Sequence, residues 1–106
     1  MTPKQREERK RRVRWSYLVG CRDNFTCRIC SDDQETVDIR SHHIEGFAFN
    51  RELRFDVANG VTLCVTCHDL YHKTFMGGNR VPATRETFDQ FVCFLWSLAL
   101  LVNNRY

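Results

Sequence analysis

Two pairs of cysteines with the same internal spacing constrain this chain more than any other feature of its sequence. The first pair is Cys27 and Cys30, and the second, after 33 intervening residues, is Cys64 and Cys67. A gap of two residues lets both sulfurs of a pair turn toward one ion, and four thiolates complete a tetrahedral zinc site. The pairs therefore predict a structural Zn²⁺ ion that joins two distant segments of the chain.

An even number of cysteines in a short secreted chain would indicate disulfides instead. Secretion is not expected, because the first 14 residues are highly charged and the apolar segment after them is short and mixed. The longest apolar run, residues 91–102 with one serine in it, has 12 residues, whereas a membrane span needs about 20. We therefore expect a cytoplasmic protein without a membrane span. Cys21 and Cys93 fall outside the two pairs, and we expect them to be small core residues.

A chain of 106 residues is long enough for one domain, and its charge is distributed unevenly. Residues 1–14 carry seven basic and two acidic side chains, a net charge of +5, whereas the other 92 residues carry nine basic and eleven acidic side chains, a net charge of −2. Such a basic segment points to nucleic acid or anionic lipid, and a solvated tail is the alternative. We expect its central basic residues to contact the phosphates of DNA: Arg9, Lys10, Arg11 and Arg12.

The hydrophobic pattern predicts a small α+β fold in three segments. Residues 1–20 form a basic N-terminal helix or arm whose first half stands away from the core, and residues 21–82 form the core. The core elements are a strand over 36–41 that runs into the histidines, a second strand over 61–63, and a helix over 67–75 closed by Gly77 and Gly78.

The third segment, residues 83–106, is predicted to be a C-terminal helix that begins after Pro82, with Thr84 as its N-cap. Its residues are apolar on nearly every face, and a helix of this kind is buried on all sides or contacts a partner. We therefore expect it to pack on the core, to form a homodimer or to bind a larger protein.

All four histidines of the chain lie between the cysteine pairs or directly after them. His68 and His72 are four residues apart on the predicted helix, so both imidazoles face one side and can bind one ion. Neighbouring residues of a strand point in opposite directions, so one of His42 and His43 can complete a three-histidine metal site while the other is free to act as a base. The amide oxygen of Asn59 can hold an imidazole N–H and fix its tautomer. The alternative is a zinc-stabilised domain whose histidines have no catalytic role.

The cysteine pairs, the histidine pair, Asn59 and the two helix histidines, in this order, resemble the HNH endonucleases of the ββα-metal nuclease superfamily. The resemblance covers residues 27 to about 73. It implies that two strands and a helix surround the catalytic ion, that His43 is the general base and that Asn59 orients this base. It also implies a set of three ligands for one divalent ion: His42, His68 and His72.

The activity implied by this resemblance is metal-dependent hydrolysis of DNA, as a nick or a double-strand break, that leaves 5′-phosphate and 3′-hydroxyl ends. Many members have aspartate where this chain has His42, and a site rich in nitrogen suits Mn²⁺, Ni²⁺ or Zn²⁺ better than Mg²⁺. Three arginines near the site in sequence either hold phosphates or are solvated: Arg40, Arg51 and Arg54.

Two other functions are consistent with the sequence. One is a non-catalytic, zinc-stabilised module that binds DNA or RNA through the basic N-terminal segment. The other is an accessory subunit of a phage packaging or restriction complex, docked through the C-terminal helix. Small free-standing members of the family resemble phage-encoded nucleases, which would place the protein in the cytoplasm of the host cell.

Overall fold

The computed structural model describes residues 1–48, 50–75 and 83–103, with side chains up to residue 98. Within these residues it contains three α-helices and a two-stranded antiparallel sheet, so the α+β class predicted from the sequence is confirmed. The elements are α1 (Pro3–Arg22), β1 (Ile39–His43), β2 (Gly60–Cys64), α2 (Val65–Thr74) and α3 (Arg85–Asn103). Gly77, Gly78 and Pro82, which were expected to end one helix and precede the next, lie outside the described residues.

Helix α1 begins at a capping box. The Thr2 hydroxyl accepts a hydrogen bond from the Gln5 N–H, and the Gln5 side-chain oxygen accepts one from the Thr2 N–H. The helix continues to Arg22, two residues beyond the predicted N-terminal segment of residues 1–20. This last turn is stabilised by burial of Val19, whereas most side chains before Trp15 are exposed.

The sheet lies between two helices. Ile39 is paired with Cys64 and His43 with Gly60, and both α1 and α2 contact both strands. Because side chains alternate along β1, the His42 ring packs on α2 and the His43 ring packs on α1. Two neighbouring histidines therefore lie on opposite faces of the same strand.

Gly60 allows α1 to approach β2 closely. Its φ of −114° is open to any residue, so the requirement is for space. A Cβ atom at this position would overlap the side chains of Val19 and Trp15. Asn59 ends a 3-10 turn over Val57–Asn59, and Gly60 is the first residue of the strand.

The segment between the strands is more regular than the loop expected from its sequence. It contains 3-10 turns at Arg51–Leu53 and Val57–Asn59. Strand β1 begins at residue 39 instead of 36, because Asp33 begins a tight turn in which its carboxylate accepts a hydrogen bond from the Thr36 N–H.

Helix α3 packs on α2 through aromatic rings. The Thr84 hydroxyl accepts a hydrogen bond from the Thr87 N–H at 3.1 Å, which confirms Thr84 as the N-cap. Phe88 and Phe91 are buried and contact Tyr71 of α2, with ring centroids 5.7 and 5.0 Å apart. Three apolar side chains of the same helix are nevertheless exposed: Phe94, Trp96 and Leu98. Of the two expectations for this helix, burial on all sides is therefore wrong for the described monomer.

Two further expectations concern the cysteines outside the pairs and the absence of a membrane span. Cys21 and Cys93 are exposed, so the prediction that they are core residues is wrong. Each lies on the outer face of its helix, because the inner face is occupied by Val19 in α1 and by Phe91 in α3. In the described part of the chain, no helix has the length and apolar character needed to cross a bilayer.

Candidate metal centres and active site

The four paired cysteines converge at the junction of β2 and α2. Their sulfurs all lie within 4.8 Å of one another, and the Sγ atoms of Cys30 and Cys64 are 3.6 Å apart. A tetrahedral ion with bonds of about 2.3 Å requires neighbouring sulfurs about 3.8 Å apart. The arrangement fits a zinc site and brings together all four predicted residues: Cys27, Cys30, Cys64 and Cys67.

The local backbone conformation determines where these sulfurs point. The first pair lies in a knuckle closed by a bridge between Thr26 and Asp33, and Ser31 turns the chain with a φ of 67°. In the second pair, Cys64 is the N-cap of α2 and its sulfur accepts a hydrogen bond from the Cys67 N–H. One pair is thus placed by a turn and the other by a helix end.

The pKa values of the thiols indicate what the cluster requires. Burial raises the pKa of Cys30 to about 12 and also raises the pKa of Cys67, where the neighbouring sulfurs act in the same direction. Burial also acts to raise the pKa of Cys27, but hydrogen bonds from backbone N–H groups outweigh it and the net pKa is lowered. Four thiolates can share this partly buried space only with a cation among them, and binding would release protons.

Three histidines form a second cluster on the α2 side of the sheet. Each of His42, His68 and His72 offers a ring nitrogen, and these atoms lie within 4.8 Å of one another. The Nε2 atoms of His68 and His72 are 3.2 Å apart, close to the 3.3 Å or so expected for two nitrogens bound tetrahedrally to one ion. The geometry fits a divalent ion held by one strand residue and by two residues on consecutive turns of α2.

His42 is the most enclosed member of this cluster. Its side chain is buried, and its Nε2 atom has no hydrogen-bond partner among the described residues. Burial and the neighbouring charges of His68 and His72 lower its pKa to about 3. The neutral imidazole is the form that binds metals. Tyr71 and Phe88 pack edge-on and face-on against the ring, at centroid distances of 5.1 and 5.7 Å.

His43 lies on the other face of β1 in a different environment. Its ring is stacked on Trp15, with centroids 3.8 Å apart and an interplanar angle of 10°. Its Nε2 atom lies 2.9 Å from the backbone oxygen of Arg54. Since a carbonyl only accepts, Nε2 carries the proton and Nδ1 keeps a free lone pair. Burial lowers the pKa of His43, the Arg54 carbonyl acts to raise it, and the charges of Arg12 and Arg54 lower it further.

Asn59 does not hold an imidazole, in contrast to the expectation from the sequence. Its side-chain N–H₂ donates to the backbone oxygens of Glu45 and Leu53, and its side-chain oxygen accepts from the Glu45 N–H at 2.7 Å. The amide is buried and occupied by backbone groups, and the partner of His43 is instead the Arg54 carbonyl. Asn59 therefore acts on the loop that supplies this carbonyl.

The basic side chains named from the sequence divide into two groups. The Arg54 side chain is 19% exposed and donates to the Phe47 carbonyl, and its Nη1 atom lies 3.3 Å from Oε1 of Glu8. It is therefore bonded within the protein. Six others are exposed: Arg9, Lys10, Arg11, Arg12, Arg40 and Arg51. Among them, Arg11 and Arg12 lie over the rings of Phe55 and Phe47, each 4.2 Å from the ring centroid. The first half of α1 thus contacts the body of the protein.

A cleft of about 750 Å³ lies between α1 and residues 51–56. Basic and acidic side chains alternate around it, including Lys4, Arg51, Glu7 and Glu52. Its charges are therefore mixed, and the basic character of α1 is strongest on the face away from it.

Sequence reasoning missed two residues of this region. The sequence assigned no role to Trp15, which directly follows the basic segment. It placed Tyr71 only as one residue of the predicted helix over 67–75. The spacing of three residues between His68 and Tyr71 was a sequence signal that Tyr71 lies on the metal side of α2. In the structure Tyr71 is buried and packs against His42. For Trp15, nothing in the local pattern indicated a contact with a residue 28 positions later.

Comparison with known proteins gives one match. Residues 27–74 match the family model of the HNH endonucleases, which confirms the resemblance identified in the sequence. This segment includes both cysteine pairs and all four histidines. No curated protein and no solved structure matches the chain.

Proposed function

With residues 27–74 assigned to the HNH endonucleases, we propose that this chain is a metal-dependent endonuclease that hydrolyses phosphodiester bonds of DNA. One observation carries the proposal. A three-histidine cluster fitted to a divalent ion lies on one face of β1, and the next residue, His43, has a ring held with a free lone pair at Nδ1. An ion-binding site beside a fixed base is the combination that hydrolysis of a phosphodiester requires.

In the proposed reaction, Nδ1 of His43 takes a proton from water. The water oxygen forms a bond to phosphorus as the bond to the 3′ oxygen breaks, which leaves 5′-phosphate and 3′-hydroxyl ends once the departing oxygen is protonated. His42, His68 and His72 would hold one divalent ion, Mg²⁺, Mn²⁺, Ni²⁺ or Zn²⁺. When bound, such an ion polarises a phosphate oxygen and stabilises charge on the leaving oxygen.

The remaining predicted residues have supporting roles in this proposal. Zn²⁺ at Cys27, Cys30, Cys64 and Cys67 would fix the start of α2 and thereby the direction of His68 and His72. Asn59 holds the loop whose Arg54 carbonyl binds His43, so it positions the base indirectly. Its effect on cleavage would pass through that loop.

DNA would be held mainly by exposed basic residues. Arg9, Lys10, Arg11 and Arg12 are exposed on α1. Arg40 is exposed on β1, two residues before His42, and Arg51 lines the cleft between α1 and residues 51–56. Contacts of this type are independent of sequence and weaken as salt rises. Arg54 contributes through its backbone carbonyl and its bonds within the fold.

Association with a second copy or with a larger protein is a further part of the proposal. The exposed apolar residues of α3 support it: Phe94, Trp96 and Leu98. Size-exclusion chromatography with light scattering distinguishes a monomer from a dimer.

The test is cleavage of supercoiled plasmid by the wild type and by His43→Ala, across a series of divalent ions. We expect the variant to lose at least about 100-fold in rate, because general-base catalysis contributes about 10²- to 10⁴-fold. Circular dichroism and bound zinc should not change. Gln90→Ala, an exposed change on α3, is the control and should cleave normally.

Two results would contradict this assignment. Full nicking by His43→Ala would show that another group is the base. Salt-sensitive DNA binding by the wild type without strand scission under any divalent ion would favour the non-catalytic binding module.

A further inference from the structure

Trp15 is held at one face and at the N–H edge of its indole ring. One face lies flat on the His43 ring at a centroid distance of 3.8 Å, and its Nε1–H donates to the backbone oxygen of Asp56 at 2.7 Å. The side chain is only 3% exposed. A tryptophan held by a hydrogen bond and by a stacked ring has little freedom to move independently of its neighbours.

We propose that Trp15 is a positioning residue for His43, so that α1 completes the active site. This inference rests on the proposed function, in which His43 is the base. Trp15 does not touch the reacting atoms in this scheme, and it acts by restricting the plane of the imidazole.

Two restraints on the His43 ring are complementary. The bond from Nε2–H to the Arg54 carbonyl acts within the plane of the ring and fixes the tautomer. A single hydrogen bond still allows the ring to tilt about the line from Cβ to Nε2. The indole lies parallel to the ring, with an interplanar angle of 10°, and blocks this tilt. Together they fix the direction of the Nδ1 lone pair.

Both restraints are built on the same short segment. The carbonyl that binds His43 belongs to Arg54, and the carbonyl that binds Trp15 belongs to Asp56, two residues later. Gly60 leaves the space that the indole occupies on β2. The stack is therefore joined to β1, to β2 and to the intervening loop, and a movement of α1 would be transmitted to the base.

A purely structural role for Trp15 predicts different behaviour from a positioning role. Val19 provides a matched comparison, because it is buried on the same face of α1, one turn later, and also contacts Gly60. Removal of either side chain should destabilise the fold. Only Trp15 is stacked on His43.

The experiment compares Trp15→Leu, Trp15→Phe and Val19→Ala, with rates corrected for the folded fraction. We expect Trp15→Leu to lower kcat about 10- to 100-fold with KM changed less than about threefold, because a small misplacement of a catalytic group is costly. Trp15→Phe keeps a flat ring and should recover most of the loss. Val19→Ala should keep its kcat. Equal losses in Trp15→Leu and Val19→Ala, or an unchanged kcat in Trp15→Leu, would overturn the proposal.

A second readout does not depend on cleavage. Long-range ¹H–¹⁵N spectra of the zinc-bound protein report the tautomer of His43 and the ring current of the indole. We expect one Nε2–H tautomer in the wild type and in Trp15→Phe. In Trp15→Leu the ring can tilt away from the Arg54 carbonyl, so the bond that fixes the tautomer should weaken and the Nδ1–H tautomer should become populated. If the wild type shows this pattern but cleaves no DNA, the proposed function fails and the stack still positions the ring. If His43 keeps a single Nε2–H tautomer in Trp15→Leu, the positioning role itself is wrong.

Discussion

His42 and His43 are consecutive in the sequence and have almost nothing else in common. The first is buried against α2 with an unpartnered nitrogen, and the second is half-buried against α1 with its Nε2 bound to a carbonyl. Their separation was predictable, because consecutive strand residues point to opposite faces. The partners of each ring were not, since a backbone carbonyl such as that of Arg54 has no signature in the residue type.

At the same scale, Asp23 joins the end of α1 to β2. Its carboxylate is buried, accepts hydrogen bonds from the Arg22 side chain at 2.8 and 2.9 Å, and accepts another from the Thr62 N–H at 2.9 Å. Burial acts to raise the pKa of Asp23, but these hydrogen bonds outweigh it and the net pKa is lowered. Folding therefore favours the charged form.

This carboxylate predicts a dependence of stability on pH. Its stabilising effect should be complete above the pKa of about 3.9 in the unfolded chain, and it should be lost as pH falls toward the lower pKa of the folded state. Asp23→Asn should lower the free energy of unfolding by about 2 to 4 kcal/mol at neutral pH. The difference in urea stability between the wild type and Asp23→Asn, at pH values from neutral downward over the range in which both proteins keep their zinc, measures this. A difference that does not shrink as pH falls would contradict it.

At the scale of the element, α1 combines two functions that the sequence suggested only in part. Its basic residues indicated nucleic acid, and its helix formers indicated a helix. The burial of Trp15 and Val19 against Gly60 depends on residues more than 40 positions away. The periodicity of α1 alone cannot indicate that packing, so the N-terminal segment looked more detached from the core than it is.

The packing of α1 on β2 leads to a prediction for Gly60→Ala. The added methyl group overlaps Val19 and Trp15 and forces α1 away from the strand. We expect a loss of stability of about 1 to 3 kcal/mol and a fall in the cleavage rate of the folded protein. Thermal unfolding and single-turnover cleavage measure the two effects. Gly20→Ala, which meets only the Phe25 ring, is the control and should lose stability without a specific loss of rate.

The basic face of α1 predicts an effect on DNA affinity. Deletion of residues 1–12 removes six basic and two acidic side chains, so binding should weaken, and the slope of its salt dependence should fall by about 0.9 for each phosphate that is no longer neutralised. Fluorescence anisotropy with labelled duplex DNA at several salt concentrations measures the slope. An Arg9→Gln, Lys10→Gln double variant tests the exposed charges while it keeps the helix cap. An unchanged slope in both proteins would make α1 a solvated helix and leave DNA binding to Arg40 and Arg51.

At the scale of the whole molecule, the sheet is small and three of the four clustered cysteines lie in the hydrophobic core, whereas Cys30 is exposed. Cys27, Cys64 and Cys67 pack with Leu63 and Tyr71 in one buried group. The pairing of the cysteines was predictable from their spacing, and so was the order of strand, strand and helix. The way in which α3 covers α2 was not, because its apolar residues did not indicate which of them would face the core.

This arrangement predicts that zinc removal will unfold the core. A strong chelator at neutral pH should abolish cooperative thermal unfolding and reduce the helix signal, because binding of a structural zinc is coupled to folding. Cys64→Ser should have the same effect without chelator. Cys93→Ser is the control, since Cys93 is exposed and outside the cluster. A cooperative transition that survives both chelation and Cys64→Ser would show that the core folds without the ion.

Cys67 and His68 are consecutive residues of α2, so one turn of helix carries residues of both clusters. The consequence is an order of assembly. An ion bound by the cysteines fixes the start of α2 and leaves His68 and His72 facing the nitrogen of His42, which reduces the entropy lost when a second ion enters. The two ions would then bind in sequence, the cysteine site first. In a cell short of zinc, the protein would be unfolded, and a folded but inactive form would not accumulate.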